Sequence, residues 1–454
     1  MATAVRPEQP FHPQHPDQQE NPDHPHRPDH PQYVDHPQYP DCPEHSDRPE
    51  RPGRPKNPDD HERPGRPGTP ARPLGSSAAP PDPRHRLPGL RHLGPHWYAP
   101  VMGTAAVATA GAGLPLDVPG LRTACAAVWA LALLALVTVL GARTLHWIHH
   151  PDQARDHLLD PAVAPFHGCL SMALSAVGGG ALVVGRDWIG VGAAVGLDVL
   201  LFGAGTAVGL VGAVVVPYLT VVRHRIEPVR ISPVLLLPLV APMVSAALGP
   251  LLVPYLPPGQ ARLTLLLGCL ALFGLSLLAT LLVLPLVFGR LLTAGPLPLA
   301  LTPSMFLVLG PLGQSTTAVG NLADAAPGAV PAPYTHGLVE VAVLYGVPVT
   351  GFALFWLALS GAMVVRARRR GMGFSMAWWA FTFPVGTCVT GAEGLARHTG
   401  LGAFDVLAVA LYALLVAAWV TAAVHTARGL VSGELLAAPR RAPAEPQPTT
   451  ARTR

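Results

Sequence analysis

The chain has 454 residues, of which 50% are hydrophobic and only 13% are charged, with a formal net charge of +4. Soluble domains carry roughly 25% charged residues, so a soluble fold of this size could not cover so much apolar surface. The basic residues fall in short clusters between apolar runs instead of along one groove or helix face, which excludes a nucleic-acid binder.

Residues 1–95 hold 24 of the 53 prolines, in loosely repeated pieces such as RPGRPKNPDDHERPGRPGTP at 51–70. Proline at this density removes backbone donors and interrupts helix and sheet, and too few aliphatic residues remain to form a core. The segment reads as a disordered tail. His12, His15, His24, His26, His30 and His36 lie in it without cysteine partners or a fixed spacing, so no metal site is expected. The first long apolar run starts near Tyr98, and nothing before it resembles a signal peptide. Five cysteines, at 42, 125, 169, 269 and 388, stand singly with no CxxC pair, and read as small packing residues.

A membrane span needs about 20 mostly apolar residues, because the hydrocarbon layer is about 30 Å thick. Ten such runs follow in chain order: 97–115, 121–142, 162–184, 188–217, 232–255, 261–289, 298–320, 334–365, 374–395 and 401–427. The sequence therefore predicts an all-α polytopic membrane protein, with a transmembrane domain over 96–430 and a disordered tail over 431–454.

Loop charge supports the count, since cytoplasmic loops carry excess Lys and Arg. Connections after even-numbered spans hold Arg143, Arg155, Arg223, Arg225, Arg230, Arg290, Arg366, Arg368, Arg369, Arg370 and Arg428. Odd-numbered connections hold only Arg122, Arg186, Arg262 and Arg397. The bias is eleven against four and places both termini in the cytoplasm, with the core in the inner membrane.

Ionisable residues within the spans are few: Asp198, Glu340, and Glu393 and Asp405 at the last turn between spans. None has a basic partner at helical spacing, and each reads first as a protonated, hydrogen-bonded or interfacial group. No HExxH, GxxxxGK[ST] or GxSxG motif falls in a fitting context, so neither an enzymatic activity nor a cofactor is expected.

Proline, glycine and small hydroxyl residues recur near the middle of odd-numbered spans. VMGTAAVATAGAG lies in the first, PLVAPMVSAALGP in the fifth, LVLGPLGQSTTAVG in the seventh and FTFPVGTCVTGAEG in the ninth. Proline frees an upstream carbonyl and glycine permits close approach, so odd helices are expected to line a pathway and smoother even helices to surround it. The lining candidates are Thr104, Pro242, Ser245, Pro311, Gln314, Thr317, Pro384 and Thr387; ordinary helix packing is the alternative reading of the same residues. Phe381 and Phe383, beside Pro384, could plug such a path by narrowing and dewetting it.

The stretch Trp378-Trp379-Ala380-Phe381-Thr382-Phe383-Pro384-Val385-Gly386-Thr387 resembles the ninth-helix signature of the tellurite-resistance/dicarboxylate transporter family. That family also holds plant slow anion channels, yeast malate permease and fungal sulfite efflux pumps. Val101-Met102-Gly103-Thr104 is similar to its first helix, Pro238 to Gly249 to its fifth, and Leu309-Gly310-Pro311-Leu312-Gly313-Gln314 to its seventh. The resemblance covers about 95–430. It implies a ring of five helical hairpins around a central pore, usually in a homotrimer, with Phe383, or failing that Phe381, closing the pore.

The expected activity is transport of small anions across the lipid bilayer: a C4-dicarboxylate such as malate, sulfite, or an inorganic anion. A proton-coupled carrier with alternating access is the alternative mechanism. The proline- and histidine-rich tail has no counterpart in the family core, and Ala105 stands where the first-helix pattern often has a second glycine.

Overall fold

The computed structural model describes residues 93–224, 227–433 and 435. The proline-rich tail to residue 92, with its six singled-out imidazoles, and the C-terminal tail beyond 435 lie outside the described residues.

The described chain is helical, and it contains no strand; one isolated bridge joins Pro327 and Val330. In order it forms α1 (Tyr98–Gly113), α2 (Leu121–His149), α3 (Pro151–Leu159), α4 (Gly168–Gly180), α5 (Arg186–Ile189) and α6 (Val191–Leu219). The second half adds α7 (Leu237–Leu248), α8 (Gln260–Ala294), α9 (Leu309–Ala325), α10 (Ala332–Arg369), α11 (Phe383–Thr399) and α12 (Gly402–Val431). A π-helical turn, Ala181–Gly185, fuses α4 to α5, and Gly190 at φ 81° reverses the chain directly into α6.

Two populations of helix differ in burial. The apolar windows of Ala164–Ile189 and Pro233–Tyr255 are 89% and 78% buried, and most residues of α1, α9 and α11 are buried as well. Windows in α2, α8, α10, α12 and the α6 unit are only 17–28% buried. These outer helices turn Leu134, Leu282 and Leu344 outward at 63%, 74% and 77% exposure. Water would not tolerate such a continuous apolar shell, whereas lipid requires it, and the helices satisfy their own backbone groups as lipid demands.

Seven helical units are long and apolar enough to cross a membrane: Leu121–His149, Ala164–Ile189, Val191–Arg223, Pro233–Tyr255, Gln260–Ala294, Ala332–Arg369 and Gly402–Val431. The three remaining apolar runs contain α1, α9 and α11, whose α-helical parts have only 16, 17 and 17 residues. Each follows a 3₁₀ segment: Leu299–Val308 before α9, Met376–Phe381 before α11 and the short Pro95–Trp97 before α1. The cause is local. Pro303 interrupts the first segment, and Pro384 occupies the opening turn of α11, where a missing N–H costs nothing. Pro384 therefore starts a helix instead of kinking one.

The buried helices contact one another in cyclic order, α1 with α4, α4 with α7, α7 with α9, α9 with α11, and α11 with α1. Each also packs on the outer helix that follows it: α2, α6, α8, α10 and α12. Small residues set the spacing. A Cβ on Gly313 of α9 would lie 2.5 Å from the backbone nitrogen of Cys388 on α11, so the two backbones approach at a distance only glycine permits.

Two outer helices carry buried arginines near their ends. Arg143 of α2 donates to the carbonyl of Leu93, and Arg290 of α8 donates to the carbonyls of Val229 and Gly295. Arg143 thereby holds the segment before α1, and Arg290 ties the segment before α7 to the residue that ends α8; both supply donors to carbonyls outside α-helix.

Candidate functional site

A cavity of about 190 Å³ lies where the buried helices converge. From α1 it takes Ala106, Thr109 and Gly113; from α9, Gln314, Thr317 and Asn321; and from α11, Phe383, Gly386, Thr387, Thr390, Glu393 and Arg397. Ala176, Val183, Leu248 and Leu251 complete the wall from α4, the π turn, and α7 with its continuation. Spacings of three and four residues place each set on one helix face. Phe383, Thr387, Thr390, Glu393 and Arg397 thus form a single stripe on α11.

A much smaller space of about 10 Å³ lies on the other side of Phe383, walled by Met102, Met172, Leu236, Leu237, Val240, Leu307, Gly310 and Pro384. It is scarcely large enough for one water. Phe383 borders both spaces and is 5% exposed. In each buried helix the lower-numbered residues face the small space and the higher-numbered ones face the large cavity. The five therefore run parallel, with their N-terminal ends at the closed side.

The large cavity adjoins a third space of about 380 Å³, sharing Val183, Leu251 and Asn321 with it. Arg122, Arg186 and Asp324 lie there. Arg122 is paired with Asp187 at 2.6 Å, and Asp324 takes both Arg397 at 3.2 Å and His398 at 2.9 Å. Arg186 reaches only Tyr255, at 3.5 Å.

Hydroxyl groups dominate the polar lining, but most spend their proton on their own backbone. Thr387 donates to the Pro384 carbonyl at 2.7 Å, and Thr109 to the Ala105 carbonyl at 3.1 Å. The Thr317 and Thr390 hydroxyls meet at 2.7 Å, with the Gly313 carbonyl 3.0 Å from the first and the Thr387 carbonyl 3.1 Å from the second. Gln314 has no hydrogen-bond partner among the described residues and lines the cavity, so its amide is open to a solute. Asn321 commits one amide hydrogen to the Ala247 carbonyl at 2.7 Å and keeps the other.

Of the residues singled out from sequence, Phe383, Gln314, Thr317 and Thr387 line the large cavity, and Pro384 the small one. Thr104 instead accepts a hydrogen bond from Trp419 of α12 at 3.0 Å, and Ser245 accepts one from Thr206 of α6 at 2.9 Å. Pro242 and Pro311 are buried within α7 and α9. Phe381 packs edge-on against Phe306, with ring centroids 4.7 Å apart, and against Trp378 at 5.6 Å; it borders neither space. Asp198 lies between α6 and Gly178 of α4, and Glu340 is exposed on α10. Sequence reasoning treated Arg122, Arg186 and Arg397 only as loop charges. Arg397 could have been found as the end of the stripe that begins at Phe383.

Among the described residues no group of three or more His, Cys, Asp or Glu side chains is arranged to hold a metal ion. Buried helices turn hydroxyls and amides toward a shared cavity inside a shell of apolar helices long enough to cross a membrane, and the molecule is a membrane transport protein. Residues 92–427 match the voltage-dependent anion channel (SLAC1) family, and the chain belongs to it.

Relatives agree with that placement. An uncharacterized transporter of Methanocaldococcus jannaschii is 24% identical over 355 residues, covering 77% of this chain and 97% of its own. Sulfite efflux pumps of Arthroderma otae and Trichophyton rubrum are each 26% identical, covering 73% of this chain and 89% of their own. The protein is thus an anion channel or transporter of a multi-pass membrane type, related to the tellurite-resistance/dicarboxylate transporters.

Proposed function

We propose that small anions cross the membrane through the passage between α1, α4, α7, α9 and α11, and that Phe383 closes it. The observation that carries this reading is the position of one aromatic ring between a cavity of about 190 Å³ that holds hydroxyl, amide and charged groups and a much smaller apolar space of about 10 Å³. An apolar constriction that small is dewetted, and an ion cannot shed its hydration there without replacement ligands. Displacing the ring would join the two spaces.

In this reading the chain crosses the membrane ten times, as five hairpins in a ring. The cyclic packing of the buried helices supports the ring, and α1, α9 and α11 cross with the help of their 3₁₀ extensions. The arginine bias supports an inner-membrane orientation with both termini in the cytoplasm. Assembly as a homotrimer rests on the family resemblance.

The chemistry of the lining fits weak binding. Hydroxyls already bonded to backbone carbonyls offer few free donors, and the cavity has no unpaired cation deep inside to trap an anion. Sulfite is the first substrate to test, because relatives over most of the chain are named sulfite efflux pumps; malate and inorganic anions are the comparison set.

The test is potential-driven flux of chloride, nitrate, sulfite and malate into proteoliposomes, for the wild type and Phe383→Ala. Flux that rises several-fold in the variant for the same anions is the expected result. Equal flux in both proteins would remove Phe383 as the closure, and flux obtained only with an imposed proton gradient would replace the pore with a coupled carrier.

A further inference from the structure

Glu393 stands apart from every other group in the passage. It is the one carboxylate that lines the large cavity among the described residues, and it is 6% exposed. Its Oε1 is buried with no hydrogen-bond partner, and its Oε2 presses against Gly113 of α1, leaving no room there for a Cβ. A carboxylate on the lining of an anion route repels what the route carries. The site is built to hold this side chain all the same: glycine on the facing helix makes space for the carboxyl group, and the α11 stripe aims it inward.

The neighbours do not neutralise it. Arg397 follows one turn later on the same helix, yet its guanidinium pairs with Asp324 of α9 at 3.2 Å, and Asp324 also takes His398. From α2 the facing titratable group is Cys125, and from α12 it is Tyr412, both within electrostatic reach of Glu393. Neither carries positive charge. The Tyr412 hydroxyl donates to the Val107 carbonyl at 3.3 Å. From α1 Gly113, which has no side chain, lies against it. Among the described residues Glu393 therefore faces thiol, phenol and backbone, and Arg397, the cation within electrostatic reach of it, is hydrogen-bonded to Asp324 instead. A buried ionised carboxylate without a partner is strongly disfavoured.

We propose that Glu393 is a proton-binding selectivity residue, which passes anions according to their charge: protonated, it admits divalent and monovalent anions alike and donates a hydrogen bond to an oxyanion; ionised, it excludes divalent anions. This role holds only if anions pass between the buried helices as proposed. Repulsion between fixed charges scales with the product of the charges, so a divalent anion meets twice the barrier that a monovalent one does. The proton is exchanged with water of the adjoining mouth, and no other bond changes. The substrate class implied at neutral and alkaline pH is a singly charged oxyanion, such as hydrogen sulfite, in preference to its doubly charged form.

The experiment uses sulfate and nitrate, whose charges stay fixed across the neutral range, in proteoliposomes of the Phe383→Ala variant with and without Glu393→Gln. With Glu393 present, the sulfate-to-nitrate flux ratio should rise several-fold as the pH is lowered from mildly alkaline to mildly acidic. With Glu393→Gln the ratio should be high and independent of pH. A pH-dependent ratio that survives Glu393→Gln overturns the proposal, as does a variant that lowers both fluxes in proportion and leaves the profile unchanged, the signature of a merely structural side chain.

Infrared difference spectra separate this proposal from the pore reading. A protonated carboxyl band that titrates in the wild type and is missing in Glu393→Gln supports proton binding at this residue, and its absence at every pH overturns it. Failure of Phe383→Ala to pass either anion overturns the pore reading and, with it, the selectivity role, whatever the spectra show.

Discussion

The hydroxyls of Thr317 on α9 and Thr390 on α11 lie 2.7 Å apart, and both side chains line the cavity that ends at Phe383. Thr317 also lies 3.2 Å from the Thr387 carbonyl, so the pair couples the helix carrying the aromatic ring to its neighbour. Replacing either threonine by valine leaves the other hydroxyl short of a partner, at a cost of about 1 kcal/mol. A double-mutant cycle read by thermal unfolding in detergent should give a coupling of roughly 0.5–1.5 kcal/mol. Additive effects would mean that the two hydroxyls do not act together.

Gly313→Ala should be more damaging than a surface glycine replacement, because its Cβ would lie 2.5 Å from backbone nitrogen of Cys388. Backbone cannot rotate away as a side chain can. Overpacking of this kind costs roughly 1–3 kcal/mol, and Gly274→Ala on α8, where a Cβ meets nothing within 4 Å, is the matched control. Equal melting temperatures for the two variants would contradict the close approach of α9 and α11.

Phe381→Ala separates the two neighbouring phenylalanines. Its ring packs on Phe306 and Trp378 and borders neither space, so the expected loss is roughly 2–3 kcal/mol of stability, below that of a fully buried Phe. Flux per folded molecule should stay at the wild-type level, in contrast to Phe383→Ala. An increase in anion flux would move the closure to Phe381.

Arg290→Lys should not restore what Arg290→Met loses. The guanidinium reaches the Val229 and Gly295 carbonyls together, and a single ammonium lacks that fork. Both variants should lose about 1 kcal/mol, the net worth of a hydrogen bond to a part-buried carbonyl, with faster amide exchange in the segment before α7 as the local readout. Full stability of the lysine variant would show that charge alone suffices.

His96 precedes α1 and supplies an acid-sensitive contact. Burial, with His157 and Arg143 nearby, holds its pKa down at about 4, against 6.5 for the free side chain. The native state favours the neutral ring, so its contribution is complete above pH 6.5 and is lost as pH falls toward 4. Partial exposure limits the effect to roughly 1–2 kcal/mol. His96→Phe should flatten the melting temperature across this range, and an unchanged acid-side loss would assign the sensitivity to another group.

The apolar runs, their order and the division into buried and exposed helices were legible from hydropathy and from the alternation of Pro, Gly and Thr. Continuity of the runs was not. Hydropathy does not register that Pro384 opens a helix, or that the 3₁₀ segment Met376–Phe381 precedes it. The side of a helix was also lost where only residue type was weighed: Thr104 and Ser245 satisfy outer helices, while Thr109 and Thr390, of the same type, line the cavity. Helical spacing from Phe383 would have recovered Thr387, Thr390, Glu393 and Arg397 together, because the period of a helix fixes which residues share its face.

The parallel direction of the five buried helices gives the passage an electrical polarity. Each helix end carries roughly half an elementary charge, positive at the N-terminus and negative at the C-terminus. Five aligned ends place their positive sum at the closed side behind Phe383, while at the opposite mouth Arg122 and Arg397 are paired with Asp187 and Asp324, and Arg186 is left to offset the negative ends. An anion therefore climbs in one direction and descends in the other, so the current through an opened Phe383→Ala passage should rectify. Its asymmetry should survive removal of side-chain charge, since it is written into the backbone.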